Sequence, residues 1–369
     1  MAQIRIENLQ KDFGTFTAVE SSTFTVENGE FFMLLGPSGC GKTTTLRMIA
    51  GLELPTSGCV YIDGEEVGMK PASQRDIAFV FQLFALYPHL NVGKNIAYPL
   101  ISQGMSRSEA KKRVQEVAQI LGIESILDKN VGGLSGGDRQ RVALGRAIVR
   151  EPKVFLMDEP LGALDAEFRE HMAEELRALH DRIGATTIYV THDQLEAMQM
   201  GDKIVVMDQG IIQQFGKPQD IYDWPVNKFV GDFIGSPAMN FLDFEGSINN
   251  GADFVELNGH KIAVPSFRES AKGKLSLGVR PEHIRFSDQS NYRGKVVTIE
   301  YLGTTQIVTI NTPNGEIKAR ISSNIKIKEN ETIGLEFDAR TLTVFACESG
   351  QAILSDANSK IIKDGRSNT

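Results

Sequence analysis

The sequence predicts a two-part fold, an α/β core on a largely parallel sheet followed by an all-β domain. Three observations carry this. The short apolar runs EFFMLLG, KVFLMD (153–158), TTIYVTH (186–192) and KIVVMD (203–208) alternate with helical stretches, as buried parallel strands do. Helical periodicity then fades near GSPAMNF (235–241). Beyond it, Asn258-Gly259 and Asn314-Gly315 sit between alternating runs as hairpin signals. A chain of 369 residues is also too long for one ordinary core.

Element by element, QIRIENL, FTAVESSTFTV and CVYIDGEEV alternate and read as strands with one solvated face. EFFMLLG leads into GPSGCGKT (36–43) and then the helix TTTLRMIAGL. Residues 85–150 read as helical. In SRSEAKKRVQEVAQILG, Ser106 and Glu109 form a capping box, Val114, Val117 and Leu121 share a face, and Gly122 is a C-cap. A later helix carries Phe168, Met172, Leu176 and Leu179 on one face. LSLGVR, VVTIEYLG, QIVTINT, EIKARIS and TIGLEF make a small β domain, expected to be a barrel. The expected boundaries are 1–235, with a helical part at about 85–150, then 236–350 and a frayed polar tail over 351–369.

Composition narrows the function. Hydrophobic content of 41% with 23% charged residues describes a soluble globular protein. A net charge of −8 argues against a nucleic-acid partner, which would want a basic face. No apolar run approaches the ~18 residues of a membrane span, and MAQIRIENLQ lacks a secretory apolar region. Any membrane role must come through partners. Cys40, Cys59 and Cys347 have no paired spacing, which fits a reducing cytosol and no structural metal site.

The motifs point to nucleotide chemistry. GPSGCGKT matches GxxxxGK[ST] between a buried strand and a helix. Gly36, Pro37, Ser38, Gly39, Cys40 and Gly41 let the backbone wrap phosphates. Lys42 would hold the β- and γ-phosphates, and the Thr43 hydroxyl, followed by Thr44, would ligate Mg²⁺. VFLMDEP ends a buried strand with two carboxylates, Asp158 for the Mg²⁺ shell and Glu159 as general base. His192 ends another strand, which should lie beside the other two and aim at the same phosphates. Gln82 follows IAFVF, and its amide can reach Mg²⁺ or the attacking water without carrying charge. LSGGDRQR (134–141) opens a helix with an almost bare first turn, Ser135 as N-cap and then Gly136 and Gly137, and so forms a second anion site. Cys40 reads first as a small filler; the other reading is that Lys42 beside it lowers its thiol pKa.

In the order GPSGCGKT, Gln82, LSGGDRQR, VFLMDEP, LGALD and His192, the chain resembles the ATP-binding subunits of ABC transporters over about residues 1–235. The resemblance implies a P-loop NTPase core with an antiparallel β subdomain and a helical subdomain. It also implies a head-to-tail homodimer, in which Ser135, Gly136, Gly137, Asp138 and Asp165 of one chain meet the ATP on the other's P-loop. The family's adenine-stacking aromatic falls on Phe13, with Phe16 as competitor and a core role open for both. Asp138 departs from the commoner glutamine or basic residue; it reads as the second half of a capping box or as a ribose acceptor. Gly162 departs from a frequent serine.

FIGSPAMNF, LGVRPEHI and VVTIEYLGTTQIV resemble the linker and the C-terminal OB-like barrel of carbohydrate-importer ATPases, of the maltose, glycerol-3-phosphate and multiple-sugar type. This implies import of a carbohydrate-type solute through two integral-membrane permeases touched near Leu83–Leu90, Leu86 and Tyr87 included; a core helix is the other reading of that apolar stretch. An extracytoplasmic solute-binding protein would take part indirectly, and the ATPase would sit on the cytoplasmic face of the cell membrane. An iron, sulfate or polyamine importer, or a soluble non-transport ATPase, is the alternative.

Overall fold

The computed structural model describes residues 2–366 except 83, 163 and 165. It divides into two compact units, the first ending at Pro218 and the second starting at Gln219.

The first unit opens with β1 (Ile4–Phe13) and β2 (Phe16–Val26), which pair antiparallel. β3 (Phe31–Leu35) is wholly buried, and α1 (Lys42–Ala50) follows it. β4 (Ser57–Ile62) and β5 (Glu65–Glu66) complete an antiparallel sheet in the order β2-β1-β4-β5. After β6 (Ile77–Val80) come α2 (Val92–Ser102), α3 (Arg107–Leu121) and α4 (Gly136–Ile148). The capping box of α3 forms as its sequence suggests, with Ser106 and Glu109 bonded both ways and Gly122 left-handed at the C-cap.

β7 (Val154–Asp158), α5 (Ala166–Ile183), β8 (Thr186–Thr191), α6 (Gln194–Met200), β9 (Lys203–Asp208) and β10 (Ile211–Gly216) finish the unit. The second sheet has the order β10-β9-β3-β8-β7-β6. All its neighbours are parallel except β10, which hairpins back on β9. Strand alternation gives the sheet two buried faces. Phe32, Leu34, Leu156, Ile188 and Val190 join Leu46 and Ile49 of α1 and the antiparallel sheet in one core. Phe155, Met157 and Thr187 line the other face with Leu176 and Leu179 of α5.

Register does the functional work. Leu35 pairs with Thr191, and Asp158 with Val190. The carboxyl ends of β3, β7 and β8 are therefore level, and the three segments that leave them emerge side by side.

A buried arginine braces this arrangement. Arg75 is 3% exposed, and its guanidinium donates to Lys70 O, Met48 O, Ile49 O and Gly68 O. It thus takes up carbonyls from the last turn of α1. Burial pulls its pKa down to about 10, so it stays charged at neutral pH.

The second unit contains α7 (Pro218–Asp223), apart from its first residue, and α8 (Lys228–Phe233). The break thus comes before residue 235, where the sequence changes texture. Arg280 explains the difference, since it donates to Tyr222 O, Gly231 O and Ile234 O and lies over the Tyr222 ring. The two helices belong to the β core that this arginine sits in.

The strands that follow are β11 (Asn240–Ile248), β12 (Phe254–Leu257), β13 (His260–Ala263), β14 (Ala271–Val279), β15 (Ile284–Phe286), β16 (Arg293–Tyr301), β17 (Thr305–Thr312), β18 (Gly315–Ser322), β19 (Thr332–Phe337) and β20 (Thr343–Ala346). They form antiparallel sheets ordered β11-β14-β20, β12-β13 and β15-β19-β16-β17-β18 around one apolar core. Asn258 (φ 51°) and Gly259 (φ 84°) make the β12–β13 turn. In the β17–β18 hairpin Thr312 pairs with Gly315, so the turn itself is Pro313-Asn314.

The tail is not frayed over its described part. Ile353 and Ile362 are buried, and α9 (Ser359–Arg366) forms. Asn358, fully buried, accepts from Ser355 N and donates to Ile353 O. Ala352, Ile353 and Ile362, with Asn358, dock a stretch whose average is polar.

Candidate nucleotide site

The P-loop runs from the end of β3 to the start of α1, and close approach decides its glycines. A Cβ on Gly36 would lie 2.2 Å from Met207 O, and one on Gly41 (φ 102°) 2.4 Å from Ala18 O. Gly41 caps α1 without a side-chain bond, so the first N–H groups of the helix stay free for an anion. Ser38 and Gly39 are exposed at the loop crest, with Pro37 half-buried beside them and Thr44 half-buried behind. Lys42 is buried and donates to Gly36 O and Pro37 O, 2.8 Å each. Those bonds hold the ammonium inside the loop, where phosphate oxygens would replace the carbonyls.

Cys40 follows the filler reading rather than the activated-thiol one. Its Sγ lies 3.6 Å from Lys42 Nζ, yet its pKa is raised. Burial of the thiol outweighs the lysine's pull. Cys40 is a filler against the backbone of the loop.

The second set of groups comes from β7 and β8. Asp158 accepts from Thr43 Oγ1 at 2.8 Å. Burial pushes its pKa up, opposed by the Thr43 bond, Arg47 and Lys42. Glu159 leaves the strand at φ 43°, a left-handed angle for a non-glycine, while its N–H still bonds Val190 O. That turn aims its carboxylate outward. Glu159 Oε2 accepts from Gln82 Nε2 at 3.2 Å, and Oε1 lies 3.3 Å from His192 Nδ1. Gln82 and His192 are both exposed. Gly162 donates to Glu159 O, and a Cβ there would sit 3.4 Å from the same oxygen.

The signature turn, LSGGDRQR (134–141) at the start of the signature helix α4, stands apart. Among the described residues, no hydrogen bond or ion pair joins Ser135, Gly136 or Gly137 to the P-loop. Ser135 caps α4 by accepting from Asp138 N, but its hydroxyl donates to Asp138 Oδ2 at 2.9 Å. The reciprocal bond to the Ser135 N–H, which completes the box in α3, is not the one formed here. Asp138 also lies 3.9 Å from Arg141. A Cβ on Gly136 would lie 3.3 Å from the Leu164 side chain.

Phe13 and Phe16 face each other at the tip of the β1–β2 hairpin and are both exposed, so neither is core. Lys11 Nζ sits 4.8 Å from the Phe13 centroid. Asp165 and Leu83 lie outside the described residues.

Three residues that the sequence reading passed over shape the stretch after Gln82. Asn95, fully buried, accepts from Tyr87 N and donates to Tyr87 O, Leu90 O and Asn91 O. Tyr98 packs on Tyr87 at 4.5 Å between centroids. Arg146 reaches across from α4.

A P-loop, an acidic strand end and a polar cluster at level strand ends define a nucleotide-hydrolysing fold. The comparisons agree. The family model "ABC transporter" matches residues 19–162, "MalK OB fold domain" 235–284 and "TOBE domain" 277–345. The chain belongs to the ABC transporter family of ATP-binding proteins and is an ATPase of that type.

Within the family it is similar along almost its whole length to import proteins. The trehalose/maltose import ATP-binding protein of Thermococcus litoralis is 44% identical, covering 96% of this chain and 100% of that one. The sn-glycerol-3-phosphate import ATP-binding protein of Rhizobium johnstonii is 44% identical over 96% of each. The oligosaccharides import ATP-binding protein of Bacillus subtilis is also 44% identical, covering 92% of this chain and 96% of that one. A solved ATP-binding cassette, described as dimeric, post-hydrolysis and bound to ADP and Pi, is 33% identical with TM-score 0.53, over 58% of this chain and 98% of that one. Among the described residues, no helix is long and apolar enough to cross a membrane.

Proposed function

We propose that this ATPase drives import of a carbohydrate-type solute as a head-to-tail homodimer beneath two integral-membrane permeases, on the cytoplasmic face of the cell membrane. The sugar, oligosaccharide and glycerol-3-phosphate import proteins among its relatives support that cargo class. A solute-binding protein would deliver the cargo from outside. The permeases would dock along residues 83–90, where Leu86 and Tyr87 are half-buried beside exposed Pro88 and His89.

The chemistry is in-line attack of water on the γ-phosphorus. A new P–O bond forms, the bond to the bridging oxygen of ADP breaks, and the water proton passes to Glu159. The observation that carries this reading is the Glu159 carboxylate, turned out of β7 and flanked by Gln82 and His192 one residue beyond the Asp158–Thr43 pair. His192 would contact the γ-phosphate, and Gln82 would orient the water. Lys42 and the free N–H groups of α1 would hold the phosphates, with Ser135 and Gly137 of the partner closing over them. Phe13 would stack on adenine. Asp138 acts as a cap, and Asp165 completes the partner's contribution.

The Thr43 hydroxyl and the Asp158 carboxylate, 2.8 Å apart, are hard oxygen donors that fit Mg²⁺ with the remaining ligands left to phosphates and water. When bound, the ion supplies charge neutralisation for the triphosphate.

Glu159→Gln removes the proton acceptor and keeps the shape. ATP binding should persist and kcat should fall by about 10²–10⁴-fold. Turnover close to wild type would remove Glu159 from its role.

A further inference from the structure

Just past Gln82 the chain makes a turn that its residues do not favour. Phe84 and Ala85 stand at φ 61° and 46°, left-handed angles at two consecutive non-glycine positions. The outside support comes from the last turn of α4. Arg146 donates to Ala85 O at 2.6 Å and to Phe84 O at 2.9 Å, and its guanidinium lies 5.3 Å from the Tyr87 centroid. One 13-residue helix thus carries the Ser135 anion site at its N-terminal end and the clamp on this turn at the other. Ala85 is exposed, so water can replace the arginine at its carbonyl.

We propose that Arg146 is a positioning residue: it holds the Phe84–Ala85 turn so that Gln82 meets Glu159, and thereby ties the signature helix to the catalytic carboxylate. The proposal rests on the roles given above to Gln82 and Glu159. When α4 moves as a body, the turn and Gln82 follow it, so the partner's ATP, held at Ser135, is sensed at this chain's own water-activating group.

The test is steady-state ATP hydrolysis by the purified full chain with MgATP, comparing R146Q, R146K, Q82A, R146Q/Q82A and R146Q/A85G. R146Q should lower kcat about tenfold while KM for ATP stays within about twofold. R146K should recover part of the loss, since an ammonium reaches one carbonyl but lacks the fork. R146Q/Q82A should be no slower than Q82A, because the effect runs through Gln82. R146Q/A85G should be faster than R146Q, because glycine removes the strain at one of the two left-handed positions. A merely structural role would not give the last two results. Wild-type kcat in R146Q beside a slow Q82A overturns the proposal alone, as do additive losses in the double variant. Wild-type kcat in Q82A overturns the Gln82 reading and the proposal together. Should R146Q fold poorly, R146K with and without A85G carries the same comparison.

Discussion

Replacing Arg75 by methionine tests how the P-loop helix is anchored. The side chain fills similar space but cannot donate. Of the four carbonyls that Arg75 serves, Lys70 O is half-exposed and can turn to water, and Met48 O keeps the N–H of Gly51. Ile49 O and Gly68 O are buried and lose the bonds that now satisfy them. Stranding a buried carbonyl costs about 1–3 kcal/mol, so two of them cost roughly 2–6 kcal/mol. For a unit of this size, each kcal/mol moves the midpoint by about 2–4 °C. R75M should therefore lower the unfolding temperature of the first unit by roughly 4–24 °C, read by calorimetry on the full chain. Amide exchange should quicken in α1 ahead of β3. A shift under about 2 °C would mean that the α1 carbonyls find other partners, and that Arg75 is not the brace described here.

Two further outcomes follow from burial. Cys40 is 3% exposed, whereas Cys59 and Cys347 are half-buried. Iodoacetamide at neutral pH should modify Cys40 last, by site-resolved mass spectrometry; equal rates would contradict its burial. His180 is buried between Thr187 Oγ1 (3.0 Å) and Gly29 O (3.1 Å), and burial, then Arg177, holds its pKa below the ordinary histidine value. The folded state therefore binds its proton less readily than the unfolded state. This contribution is complete above the unfolded pKa of about 6.5 and is lost as pH falls toward the folded one. H180Q should narrow the difference in unfolding temperature between about pH 7.5 and pH 5. An unchanged difference would show that the ring is not held neutral.

The site was legible wherever chemistry demands a residue type at a fixed spacing. GPSGCGKT, VFLMDEP and His192 end adjacent strands, and the sheet register brings them level. Arginines that work through backbone carbonyls were not legible. Arg146 meets Phe84 and Ala85 from 62 and 61 residues away, and Arg75 meets Met48 and Ile49 from 27 and 26. Nothing local marks such an arginine off from a solvated one. At Cys40 the sequence left a filler and an activated thiol open, because proximity to Lys42 is visible in sequence and desolvation is not; burial decides for the filler. The tail misled by its polar average, although Ile353 and Ile362 dock it. The left-handed Glu159 also escaped notice, since no glycine announces the turn.

The central claim is that this ATPase powers an importer. The direct measurement expresses Glu159→Gln in the native cells, captures it from detergent-solubilised membranes with ATP and Mg²⁺, and identifies the companions by mass spectrometry. The account predicts two multi-span permeases and a solute-binding protein, lost when Leu86 and Tyr87 are both replaced by alanine. Recovery of soluble partners alone, from membranes that contain the protein, would contradict it.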